Sequence, residues 1–395
     1  MRPLFHRFLL ALALVSVPLN LWAAEPKITA ALQPLVDSGS LAGAVALVSS
    51  PDKVLSVETV GFSDVGGKVP MKADNIFWIA SMSKPITAAG LMILVDEGKV
   101  KIEDPVEKYL PEFKYLMLAA YSDKDVTVLK RPARPITVRD ILSHTSGLPF
   151  RSPLEEPTLD GLSLKEAAHS YALTPLKFEP GSKYDYSNAG INTAGRIIEV
   201  VSGMPYEDFM DKRLFQPLGM KDTTFWPNPD QVQRIAKSYK PNKEKTGLEE
   251  TTVGQLKYPL SDRKRQPMPA GGLFSTADDV AIFCRMVLHG GTLDGKRYLS
   301  EAAVRQMTST QTGDLLNQGK GENGYGLGWS TSKKAREDAV IPGTCGHGGA
   351  FATNMSIDPE KHLIFVYMVQ HAGFPGDGGK GNGLFQKAAL EAFGK

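Results

Sequence analysis

Residues 76–97 read Ile-Phe-Trp-Ile-Ala-Ser-Met-Ser-Lys-Pro-Ile-Thr-Ala-Ala-Gly-Leu-Met-Ile-Leu-Val-Asp-Glu. The first five suit a short extended entry. From Ser81 to Glu97 the stretch predicts a helix that is apolar almost all round, and therefore a buried one. Ser81 and Lys84 stand three apart at its start, a spacing that stacks them on one helical face. A hydroxyl cannot attack unaided, but a desolvated amine beside it can take its proton. Backbone N–H groups of the first helical turn lack intrahelical partners and can hold a developing oxyanion. Pro85 is tolerated near that first turn. Ser-x-x-Lys occurs four times, starting at Ser50, Ser81, Ser261 and Ser330, and only Ser81 opens a long apolar helix. By itself the motif reads equally as an N-cap serine beside a solvated lysine.

Working outward, the region before this helix predicts a helix over Lys27–Ser38 and two strands, Gly43–Ser49 and Val54–Val60. The turn sequence Ser-Pro-Asp-Lys joins the strands into a hairpin. After it, residues 100–270 read mostly as helices and Pro-rich loops, with helices at Val138–Ser143, Leu164–Ala172, Ile191–Val201 and Tyr206–Leu214. Strands return at Tyr325–Ser330, Thr353–Ile357 and Leu363–Val369, and a last helix covers Leu384–Phe393. The expected fold is α/β: an antiparallel sheet built from both chain ends and flanked by helices, with a mostly helical insertion. The α/β part spans about 24–99 and 271–395, and the insertion about 100–270. The Gly-rich stretch 373–383 has no Ser or Thr after its Lys and reads as a loop, not a phosphate cradle.

The chain has 395 residues, 42% of them hydrophobic and 22% charged, enough apolar material for a large core. Its 45 Lys and Arg nearly balance 43 Asp and Glu, which leaves no electrostatic footprint for nucleic acid. Arg2, His6 and Arg7 precede an apolar run over Phe8–Leu19, and small residues follow at Ala23 and Ala24. This is the layout of a secretory signal peptide, expected over 1–23, with an uncleaved anchor as the other reading. The mature product is expected to be exported, periplasmic or secreted, with no stable membrane anchor. Export permits a disulfide, but Cys284 sits in an apolar helical run and Cys345 in a Gly-rich strand-like stretch, so pairing is left open. The seven His are scattered, so neither a metal site nor any cofactor is expected.

Two further motifs carry chemistry. Tyr186-Ser-Asn188 is the only Tyr-x-Asn in the chain and falls just before a predicted helix. A tyrosine near cations loses its proton more readily and can serve as a general base. Asn188 can hold Lys84 and a substrate carbonyl. His347-Gly-Gly349 lies within Gly-His-Gly-Gly-Ala-Phe. Gly349 allows close backbone approach, His347 can donate a hydrogen bond or tune the charge of Tyr186, and the Ala350 N–H can serve as an oxyanion donor. The plainer alternatives are a packing tyrosine, a turn asparagine and a Gly-rich bend.

Together and in this order, Ser-Met-Ser-Lys, Tyr-Ser-Asn and His-Gly-Gly resemble the serine β-lactamase and penicillin-binding-protein superfamily. The similar branch uses Tyr as base: class C β-lactamases, D-Ala-D-Ala carboxypeptidases and family VIII esterases. Stretches 136–148, 214–220 and 271–279 also resemble landmarks of that family. The resemblance covers about residues 28 to 393. It implies an active site between an α/β domain and an inserted helical one, with Ser81 as nucleophile and Lys84 with Tyr186 as acid/base pair. It also implies that the N–H groups of Ser81 and Ala350 form the oxyanion hole. One departure matters. Where β-lactamases and transpeptidases carry Lys-Thr-Gly, this chain has His-Gly-Gly, and His is mostly neutral near pH 7. That weakens the case for substrates carrying a carboxylate. The expected activity is a serine hydrolase acting on a small-molecule ester or amide, esterase-like first. A D-Ala-D-Ala carboxypeptidase or β-lactamase comes second, and a non-catalytic binding protein third.

Overall fold

The computed structural model describes residues 27–316, 323–332 and 339–394. The expected signal peptide over 1–23 lies outside them. Helix α1, Lys27–Asp37, leads into strands β1, Gly43–Ser49, β2, Val54–Asp64, and β3, Val69–Pro70. Helices α2, Ser83–Asp96, α3, Val138–Leu142, α4, Leu164–Leu173, α5, Asn188–Ser202, and α6, Ala277–Leu288, follow. The chain then returns to strands β4, Asn323–Tyr325, β5, Ser330–Ser332, β6, Cys345–Gly348, β7, Asn354–Asp358, and β8, Leu363–Met368, and closes with α7, Gly381–Phe393.

These strands form one eight-stranded sheet in the order β4-β5-β6-β7-β8-β1-β2-β3. The two chain ends meet where β1 pairs antiparallel with β8, Val45 opposite Met368 and Leu47 opposite Val366. Every residue of β1 is buried, which is why Gly-Ala-Val-Ala-Leu-Val-Ser does not alternate with polar residues. Ala44, Ala46 and Val48 face Ile28, Leu32 and Phe385 of α1 and α7. Val45 and Leu47 face the larger core shared with α2 and α6. The sheet is therefore sandwiched between helical layers, as the α/β expectation held.

Three local expectations are corrected. Ser81 does not open the α-helix: Ala80–Met82 form a 3₁₀ turn, and α2 starts at Ser83. Ala80 sits at φ +45°, outside the helical region, and this breaks the chain direction just before Ser81. The single strand expected over Tyr325–Ser330 is a hairpin, because the Gly326 N–H donates to the Trp329 carbonyl and Gly328 takes φ +78°. Asn188 is the first residue of α5 and not part of a loop; the Ser187 hydroxyl caps this helix by accepting from the Gly190 N–H. The 100–270 region also carries two hairpins, Leu118–Ser122 with Thr127–Lys130 and Ser238–Pro241 with Leu248–Thr251. Cys284 and Cys345 are both buried free thiols. Among the described residues no helix is long and apolar enough to cross a membrane.

Candidate active site

A cavity of about 360 Å³ opens between the sheet edge and the helices of the 100–270 region. Ser81, Tyr186, Asn188, His347, Gly349 and Ala350 all line it. Lys84 lies beneath Ser81 and is fully buried. The structure thus brings together in one place residues drawn from three distant parts of the chain.

Ser81 is held by its upstream backbone. The Ile79 N–H donates to the Leu273 carbonyl, and the Ile79 carbonyl accepts from the Met82 N–H at 3.0 Å. Gly349 is needed for this approach, because a Cβ there would lie 2.6 Å from the Ile79 carbonyl oxygen and 2.1 Å from the Thr353 hydroxyl. The Gly349 N–H is spent on the Thr353 carbonyl at 2.7 Å. Ser81 and Ala350 both line the cavity wall, Ser81 within the 3₁₀ turn and Ala350 just after β6.

Lys84 Nζ lies 2.7 Å from the Ala270 carbonyl, 2.8 Å from Asn188 Oδ1 and 3.1 Å from Ser81 Oγ. Burial pushes its pKa well below the ordinary 10.5, and no carboxylate is among the groups acting on it. A neutral amine has two N–H donors and one lone pair. In the neutral form that burial favours, the two obligate acceptors, Ala270 and Asn188, would take the donors and leave the lone pair for the Ser81 hydroxyl. The Ala270 carbonyl is itself fixed from behind. The Ala270 N–H donates to Asn192 Oδ1, Asn192 donates to the Tyr171 hydroxyl, and Tyr171 donates to buried Glu155 at 2.6 Å.

Burial pushes the Tyr186 phenol well above its ordinary 10.0 and outweighs the lowering that the neighbouring Ser81 hydroxyl brings. Its ring lies 4.6 Å from Lys84 Nζ. The expectation that nearby cations ease deprotonation of Tyr186 is corrected for the resting state: desolvation dominates and raises its pKa.

His347 is buried, and both its ring nitrogens are engaged. Nδ1 donates to the Gly348 carbonyl at 2.7 Å, so Nε2 accepts from the Tyr325 hydroxyl at 2.9 Å. Burial depresses its pKa from 6.5 to about 3. His347 is therefore a neutral, fully hydrogen-bonded wall residue, and neither a free donor nor a charge acting on Tyr186.

Sequence reasoning assigned no role to Tyr325 or His144. His144 is fully buried at φ +61° and packs 4.5 Å from the Tyr186 ring and 4.6 Å from the Tyr325 ring. Its Nδ1 accepts from the Ser187 N–H at 3.1 Å, which ties the Tyr-Ser-Asn segment to α3. Desolvation pushes its pKa well below the ordinary 6.5. The only signal was that His144 lies within one of the landmark stretches. Among the described residues no cluster of His, Cys, Asp and Glu is arranged to hold a metal ion.

Comparison with known proteins places this geometry among relatives. The family model described as Beta-lactamase matches residues 28–389. An uncharacterized protein of Mycobacterium tuberculosis is 35% identical over 374 residues, covering 87% of this chain and 89% of the relative. The D-alanyl-D-alanine-carboxypeptidase/endopeptidase AmpH of Escherichia coli is 26% identical over 332 residues, covering 82% of this chain and 78% of that one. Among solved structures, EstCE1, a hydrolase with promiscuous acyltransferase activity, superposes with a TM-score of 0.75 at 25% identity, covering 92% of this chain and 97% of that one.

Proposed function

The chain belongs to the Beta-lactamase family of serine hydrolases, and from that premise we propose that it hydrolyses uncharged small-molecule esters through a Ser81 acyl-enzyme. One observation carries the choice of ester: among the described residues no Lys or Arg lines the cavity, and His347 offers it neither charge nor free donor. A substrate carboxylate entering there would lose its water shell without gaining a cationic partner among the described residues, which is strongly unfavourable.

The proposed steps follow from the protonation states. The Lys84 lone pair takes the Ser81 proton as Oγ attacks the ester carbonyl. The tetrahedral oxyanion is held by the N–H groups of Ser81 and Ala350. Tyr186 gives its phenolic proton to the leaving alkoxide, and the Lys84 ammonium at 4.6 Å from its ring stabilises the resulting phenolate. Water then attacks the acyl-enzyme and yields a proton to Tyr186. Ser81 Oγ departs with the proton held by Lys84, and both groups return to neutrality. Asn188 keeps Lys84 in place throughout.

A second reading, D-Ala-D-Ala carboxypeptidase or β-lactamase activity, is favoured by the similarity to the AmpH relative. Turnover of p-nitrophenyl butyrate, a chromogenic cephalosporin and a D-Ala-D-Ala peptide, with Ser81→Ala as blank, separates the two. Ester turnover alone supports the proposal, and peptide or cephalosporin turnover supports the second reading. Absence of any turnover and of any acyl adduct on Ser81 returns the third alternative, a binding protein. The basic and apolar start of the chain supports export, with 1–23 as the signal and the product periplasmic or secreted. In this reading 24–99 with 271–395 forms the α/β part and 100–270 the helical insertion.

A further inference from the structure

Behind the catalytic cavity lies a second one of about 410 Å³, walled by Ile235, Val253, Leu260 and Phe274. Among the described residues, Trp78 is the only one that lines both. We propose that Trp78 is a specificity-determining wall that confines the substrate's acyl chain to the catalytic cavity, and that the cavity behind it is a latent extension for a longer, uncharged chain. This rests on the ester-hydrolase reading.

The indole is fixed on every side. Its Nε1–H donates to the Gly271 carbonyl at 2.6 Å, and the Trp78 backbone N–H donates to Gln370 Oε1 at 3.1 Å. Phe351 meets the ring edge-on at 5.3 Å. Trp78 is 1% exposed, so it is a packed partition and not a swinging gate. It stands three residues before Ser81, and its partner Gly271 lines the catalytic cavity, so a chain that leaves the reacting carbonyl toward Gly271 meets the indole. A cavity of 360 Å³ is near the lower end for small-molecule sites, which begin at about 300 Å³. The second cavity suits an uncharged chain because its lysine is already matched: Lys237 Nζ lies 3.1 Å from Asp64 and 2.9 Å from Glu250.

The test is the chain-length profile of kcat/KM over p-nitrophenyl esters from acetate to decanoate. A second series of alkyl butyrates varies the alcohol instead. Wild type is expected to favour short acyl chains. Trp78→Ala, and to a lesser degree Trp78→Leu, is expected to raise the decanoate-to-butyrate ratio by about tenfold or more, the scale on which added methylenes are discriminated. Adding Thr252→Trp, a substitution in the lining of the second cavity, to Trp78→Ala should reverse the gain. Melting curves identify any variant that fails to fold, and Trp78→Leu carries the test if Trp78→Ala does not fold. An unchanged ratio in folded, Ser81-dependent variants overturns the proposal. A shift confined to the alkyl butyrates overturns the acyl assignment. Absence of Ser81-dependent ester turnover in wild type would instead overturn the ester-hydrolase reading, and the proposal with it.

Discussion

The Tyr325 hydroxyl donates to His347 Nε2 at 2.9 Å, which closes the one ring nitrogen that the Gly348 carbonyl leaves free. The family's usual lysine position is thereby occupied by a neutral side chain with no unused donor. In the proposed mechanism the chemistry at Ser81 is left to Lys84, Tyr186 and two backbone N–H groups.

Removing the acid/base groups should cost far more than altering the wall. Lys84→Ala and Tyr186→Phe are each expected to lower ester turnover roughly 10²–10⁴-fold. Tyr325→Phe, which only unpairs His347, is expected to cost about 1 kcal/mol of stability and to leave most of the turnover. Steady-state kinetics and melting curves on the three variants check this ordering; equal losses in all three would contradict it.

The pH profile should show Lys84 and not His347. Turnover is expected to rise with pH as Lys84 loses its proton, at a midpoint well below 10.5. His347, held near 3, contributes no step above pH 5. His347→Gln should therefore leave the midpoint where it is, and a midpoint that moves toward neutrality and vanishes in that variant would assign the titration to His347.

Stability should carry the opposite signature. The folded-state pKa of His347 lies below its unfolded value, so the stability linked to its neutral form is fully present above about pH 6.5 and is lost as pH falls toward 3. Urea midpoints of wild type are expected to fall over that window, and those of His347→Gln to fall less. Identical slopes would count against a buried neutral imidazole.

His144 is expected to act on Tyr186 through position. His144→Phe keeps a ring against Tyr186 but leaves the buried Ser187 N–H without an acceptor, at a cost of about 1–3 kcal/mol. The expected result is a lower kcat with little change in KM, since the cavity lining does not include His144. A raised KM at unchanged kcat would assign His144 to substrate binding.

Gly349→Ala tests the backbone approach that sets the nucleophile. The added Cβ would fall 2.6 Å from the Ile79 carbonyl oxygen, so Ile79 and with it Ser81 must move. Turnover should drop by about tenfold or more, because small misplacements of reacting groups are costly. A variant as active as wild type would show that the contact relaxes without moving Ser81.

How much of this was legible in the sequence depended on whether the signal was local. β1 and α2 were readable because both are buried on all sides and their apolar runs are unbroken. Ser81 and Lys84 were readable because they are one turn apart. The start of α2 was misplaced by the 3₁₀ turn at Ala80–Met82, whose positive φ at Ala80 is set by packing and not by residue type. The Tyr325 hairpin was hidden because Gly326 and Gly328 fit an apolar strand pattern as well as a bend. The partnerships of His347 with Tyr325 and of His144 with Ser187 join residues 22 and 43 apart, and periodicity carries no information at that range. Burial, the dominant effect on the Tyr186 phenol, cannot be read from neighbours in sequence.

The most direct test compares two esters of matched size, p-nitrophenyl butyrate and mono-p-nitrophenyl succinate, which differ by one terminal carboxylate. Each is measured against Ser81→Ala as blank. The neutral His347 wall predicts Ser81-dependent turnover of the butyrate with kcat/KM at least about tenfold above that of the succinate, as expected where a charge is desolvated without a partner. Equal or faster turnover of the succinate would contradict the account, because it would require a cationic carboxylate site in this cavity.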